Sequence, residues 1–82
     1  MTLQINHPRK VSTYIPIEIP LENRGKQLYY EIVSGSERLR QGRFQAAILN
    51  ISVRSMPQNL LMTLRIHYNA ELVHESQFEV VD

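Results

Sequence analysis

Hydrophobic residues along this chain recur at every second position, the spacing that places successive side chains on opposite faces of a β-strand. The clearest run is Ile15, Ile17, Ile19 and Leu21, interleaved with Pro16, Glu18, Pro20 and Glu22. One face is aliphatic, while the other carries two carboxylates and two residues unable to donate a ladder hydrogen bond. Such prolines fit only where their missing N–H groups point away from a partner strand, so part of this strand is expected at a sheet edge or bulge.

A second run spans Gln27 to Val33, with Leu28, Tyr30 and Ile32 on one face and Tyr29, Glu31 and Val33 on the other. Ser34-Gly35-Ser36 ends it with turn chemistry. Glu37 to Arg43 follows as a short charged strand ending near Gly42. A third run points Ala47, Leu49, Ile51 and Val53 inward and Asn50, Ser52 and Arg54 outward, before a loop at Ser55-Met56-Pro57-Gln58-Asn59. In the fourth, Leu60, Met62, Leu64, Ile66 and Tyr68 face inward and Thr63, Arg65 and His67 outward. A helix there would bury Thr63 and His67, a worse stripe than alternation gives, so the segment is assigned as strand. The last run is Leu72 to Val81, with Phe78 and Val80 on its even face.

The last two strands constrain their own connection. A two-residue hairpin turn pairs positions whose numbers sum to an odd value, which would set Leu64 and Ile66 beside Gln77 and Glu75 and bury the wrong face. An odd-length loop around Asn69-Ala70-Glu71, or a bulge, restores the match, and such a loop is predicted. With Leu3 to Asn6 as a first strand, the pattern predicts about seven strands and an all-β fold. The expectation is one domain over residues 1–82, a single antiparallel β-sandwich of immunoglobulin or fibronectin-III type.

Composition narrows the function classes. The chain has 82 residues, nine Lys and Arg against eight Asp and Glu, and no Cys. A domain this small buries only about 60–65% of its unfolded surface, so side chains from every element must share one core. A net charge of +1 without a basic run makes nucleic acid a poor partner. Met1 to Lys10 is polar, contains a proline and is not a secretory signal. No apolar stretch approaches the roughly 20 residues of a membrane span, so a soluble chain is expected. The lack of cysteine leaves the compartment open.

No residue set reaches a catalytic or metal-binding pattern. A zinc site needs three or four ligands converging at about 2 Å, but alternation points His67 out and His74 in, while His7 lies beside Pro8 at the end of the first strand. Ser76, His74 and Glu75 are neighbours on one strand and are not expected to converge as a nucleophile, base and orienting group need to. Glu18 and Glu22 are expected on one exposed strand face, without a pocket to perturb them, where they resist edge aggregation. Arg38, Arg40, Arg43 and Arg54 form a candidate positive stripe, offset by acidic residues elsewhere. Asn50-Ile51-Ser52 is a glycosylation sequon with Asn50 on an outward strand position. The expectation is a non-enzyme with no cofactor, no metal and no small-molecule substrate, acting through a protein partner.

Tyr29-Tyr30-Glu31-Ile32-Val33-Ser34-Gly35 with Leu39-Arg40-Gln41-Gly42-Arg43 resembles the aromatic strand, glycine turn and short basic strand of macroglobulin domains. These domains occur in the alpha-2-macroglobulin, complement and insect thioester-containing protein family. Ser55-Met56-Pro57 leading into Leu60 to Tyr68, and Leu72 to Val81 after it, are similar to the family's proline loop, aliphatic strand and closing strand. The resemblance implies a structural module of a large secreted immune or protease-trapping protein, touching neighbouring domains, with Met1 an artificial start. The family's thioester needs a Cys-Gly-Glu-Gln type motif, and without cysteine that chemistry cannot reside here. The alternative is a stand-alone bacterial or phage protein, cytoplasmic if Met1 is native, that binds a protein through an edge strand or loops.

Overall fold

A computed structural model describes residues 2–81; Met1, on which the question of a native start turns, lies outside them. The described chain has seven strands: β1 (Lys10–Val11), β2 (Tyr14–Glu18), β3 (Leu28–Ser34), β4 (Glu37–Phe44), β5 (Ile48–Ser52), β6 (Leu61–Tyr68) and β7 (Glu71–Val80). They form a five-stranded sheet in the order β1-β7-β6-β3-β4 and a two-stranded sheet of β2 and β5. The fold is the expected small all-β sandwich. Its neighbours pair antiparallel except β1, which runs parallel to β7.

The aliphatic runs supply the layer between the sheets. Ile15, Ile17 and Ile19 come from the small sheet's side, and Leu28, Ile32, Met62, Leu64, Ile66 and Phe78 from the large sheet; all are buried. Leu21 departs from the expected face and is 76% exposed. Proline ends the alternation there: Pro20 opens a 3₁₀ turn over Leu21–Asn23 that carries the side chain into solvent. Leu60 and Leu72 are exposed as well, because β6 starts one residue later than expected and β7 bulges just after Leu72.

Both hairpins of the large sheet solve the register problem in one way. Asn69 and Ala70, each with positive φ, make a two-residue turn, with Tyr68 opposite Glu71 and His67 opposite Leu72. A bulge at Val73 then shifts the pairing, so that Ile66 faces His74 and Met62 faces Phe78. This realises the bulge alternative rather than an odd-length loop. In the β3–β4 hairpin the turn is Gly35-Ser36, with Gly35 at φ 60, and Leu39 is the extra residue between the Val33–Arg38 and Ile32–Arg40 pairs. Beyond it Gly42 lies opposite Tyr30; a Cβ at that position would come within 3.0 Å of the tyrosine ring.

The N-terminus differs from expectation. Leu3 to Asn6 is not a strand but an extended strap with Leu3 and Ile5 buried. It runs parallel to β7, and the Leu3 N–H donates to the carbonyl of the bulged Val73 at 2.9 Å. Regular pairing starts only at Lys10, opposite Glu79, because Pro8 has no N–H and the bulge breaks the ladder.

Candidate functional site

Three features stand out from the framework: a histidine cluster at the strap, an ion-pair network on the large sheet's outer face, and the edges of the small sheet. At the first, the parallel strap brings His7 to β7, where His74 and Ser76 project from the same side as Phe78. His7 Nε2 lies 2.6 Å and His74 Nε2 2.9 Å from Ser76 Oγ. The imidazole rings are 6.5 Å apart, edge to face, and His7 packs likewise against Phe78. His7 Nδ1 donates to the Pro8 carbonyl at 2.9 Å. Burial holds the His74 pKa below its ordinary value; a hydrogen bond to the Leu3 backbone opposes this, His7 reinforces it, and Glu75 opposes it.

This corrects two expectations. His7 and His74 do meet, and both His74 and His7 reach Ser76, although Glu75 points to the other face and bonds Arg65. The parallel direction of the strap is the missing signal, since the period of two carries no information on strand direction. His67 stands apart on the outer face. Two imidazoles fall short of the three or four ligands of a resident zinc. Among the described residues no group of three or more His, Cys, Asp or Glu could hold a metal ion.

The outer-face network centres on Glu31, which alternation places outward yet which is only 9% exposed. Arg38 Nε lies 3.1 Å from Glu31 Oε2, and His67 Nε2 3.3 Å and Arg65 Nη1 4.0 Å from Oε1. Arg65 Nε also pairs with Glu75 at 2.8 Å. Gln41 Oε1 accepts from Tyr29 Oη at 2.7 Å and from Arg38 Nη1 at 2.9 Å. Cross-strand register brings these groups together: Glu75, Arg65, Glu31 and Gln41 are successive partners across four strands. The network spends its charges internally, as a structural surface does.

The arginine stripe does not form. Arg38 and Arg43 share the outer face opposite Val33 and Tyr29. Arg40 lies on the other face, opposite Ile32, and donates to Ser55 Oγ at 2.7 Å, while Arg54 sits in the turn after β5. Nor do Glu18 and Glu22 share a strand face, since Glu22 lies in the 3₁₀ turn and Glu18 pairs with Arg24 at 3.5 Å.

Among the described residues both edges of the small sheet are free, and its register shows which backbone groups face them. Ile19 N donates to Ala47 O and Val53 N to Thr13 O. Antiparallel ladder bonds recur at every second residue, so odd-numbered residues of β2 and β5 bond each other and even-numbered ones point outward. Pro16, opposite Asn50, therefore directs its missing N–H to the free edge of β2, as the edge expectation required; Pro20 lies beyond the strand. On β5 the outward backbone groups belong to Ile48, Asn50 and Ser52, all with exposed side chains. No helix in the described residues is long and apolar enough to cross a membrane. No protein-family model matches the chain, and no curated protein matches it.

Proposed function

We propose that this domain is a non-catalytic module that makes protein contacts through the edge of β5. The observation that carries the reading is a difference among the four sheet edges. Natural edges are guarded by shortness, charge, bulges or proline. β1 has two residues, β4 is bulged at Leu39 and carries Glu37, Arg38, Arg40 and Arg43, and β2 has Pro16. β5, Ile48-Leu49-Asn50-Ile51-Ser52, has none of these guards, and Ile48 is 58% exposed beside it. An extended segment adding there would gain main-chain hydrogen bonds and a pocketless apolar neighbour, the elements of strand addition.

The macroglobulin resemblance supports a partner within the same polypeptide: a neighbouring domain of a larger, secreted scaffold. The open edge equally suits a separate protein partner of a stand-alone domain. Immunoblotting of cell extracts and extracellular fluids of the source with an antibody to this chain separates them. A band far above 9.6 kDa outside cells supports the scaffold module; a band at the chain's own mass inside cells contradicts it and leaves the stand-alone binder.

A further inference from the structure

The strap brings to β7 a combination that neither segment holds alone: a hydroxyl, a base and a group that orients the base. The Pro8 carbonyl can only accept, so the 2.9 Å contact from His7 Nδ1 puts the ring hydrogen on that nitrogen. When the ring is neutral its Nε2 carries a lone pair 2.6 Å from Ser76 Oγ, and the serine hydroxyl donates to it. A hydroxyl bonded to an imidazole that is itself held by a fixed acceptor is the arrangement that activates a serine for attack. His74 adds a positioning contact. Its Nε2 lies 2.9 Å from the same oxygen, and the ring also bonds the backbone of Leu3, which ties the serine to the strap that carries its base. Phe78 packs edge to face on His7 and limits the ring's rotation. The pair can be reached from solvent, since Ser76 and His7 both line an open groove between strap and sheet, beside Asn6, Arg9 and Gln77.

We propose that Ser76 is a reactive serine, with His7 as its general base, that takes an acyl group from an activated ester reaching the groove. In the step, Ser76 Oγ forms a bond to the acyl carbon as its proton passes to His7 Nε2. The bond from that carbon to the leaving oxygen breaks, and His7 returns the proton to the leaving group. Arg9 and the amides of Asn6 and Gln77 suit a donor with polar or anionic substituents. The outcome is a single transfer that leaves an ester on Ser76, so it stands beside a contact module on β5 without making the domain a turnover enzyme. Turnover would further need donors fixed on the developing oxyanion.

The test is treatment of the whole folded chain with p-nitrophenyl acetate at about pH 8, where imidazole is ordinarily neutral, followed by site mapping with fragmentation mass spectrometry. Ser76 is expected to be acetylated about 10²-fold faster than the exposed Ser36 and Ser52 of the same molecule, and the advantage is expected to vanish in urea. H7Q keeps a hydrogen-bond acceptor but no base, so it should remove the advantage while the circular dichroism stays that of the folded chain. The comparison with Ser36 and Ser52 needs no variant and decides the matter if H7Q does not fold. Labelling of Ser76 no faster than theirs, acetylation of a histidine in place of Ser76, or an advantage that survives in urea or in folded H7Q overturns the proposal.

Discussion

The two outer faces of the sandwich differ in what they leave unspent. On the five-stranded sheet, polar groups meet one another: Glu31 gathers Arg38, Arg65 and the His67 ring, and Glu75 takes the other side of Arg65. On the two-stranded sheet, Tyr14 and Ile48 stand exposed beside Asn50 and Ser52, and the β5 backbone faces outward without a neighbour. A polar surface can thus be the closed one and a nearly uncharged strand the open one. Partner surfaces follow unmet hydrogen bonds and exposed apolar area, and the count of charges is a poor guide to either.

Substitutions can break that contrast. The largest effect is expected inside the small sheet: Ile17→Ala removes a fully buried side chain and should cost about 2–5 kcal/mol in urea unfolding, against no more than about 0.5 kcal/mol for Ile48→Ala on the exposed side. Proline scanning of β5 comes next. Leu49→Pro deletes an N–H directed at β2 and should cost about 2 kcal/mol or more, whereas Asn50→Pro, whose N–H points outward, should be much milder. Comparable losses at both sites would refute the register of unbonded groups.

On the large sheet, Glu31→Gln leaves the Arg38 and Arg65 guanidiniums and the His67 ring around a neutral amide. A loss of about 1–2 kcal/mol is expected, because the carboxylate is buried but its arginine partners are half exposed. Glu75→Gln, whose side chain is 50% exposed, should cost less than about 1 kcal/mol. The smallest effect is on association. Pro16→Thr restores a donor on the β2 edge and should increase self-association in sedimentation equilibrium, while Pro20→Thr should not, since Pro20 has left the strand. An unchanged monomer in Pro16→Thr would show that proline is not what guards β2.

Much of this fold was legible from alternation, because a period-two pattern reports which side chains must be buried together. Ile15, Ile17, Met62, Leu64, Ile66 and Phe78 all take their expected face. Parity between β6 and β7 required a register correction, which is made by a bulge at Val73 and not by the predicted odd-length loop. The pattern failed where local backbone chemistry overrode it: at Leu21 after Pro20, at Leu72 before the bulge, and in the strap, where Pro8 prevents a continuous strand. The site was less legible. Strand direction and order are tertiary facts, so the meeting of His7 with Ser76 across 69 positions left no trace in local spacing. The burial of Glu31 arose from four strands converging, and the open edge of β5 was defined by what lies beside it.

A contact surface on β5 requires its edge to be open in the isolated domain, and residue-resolved amide exchange by NMR measures this directly. Alternating behaviour is predicted, with Leu49 and Ile51 protected by their bonds to β2 and Val53 by its bond to Thr13, and Ile48, Asn50 and Ser52 exchanging near the rate of an unprotected chain. Uniform protection along Ile48 to Val53 would mean that the edge is already covered and would contradict a contact surface there.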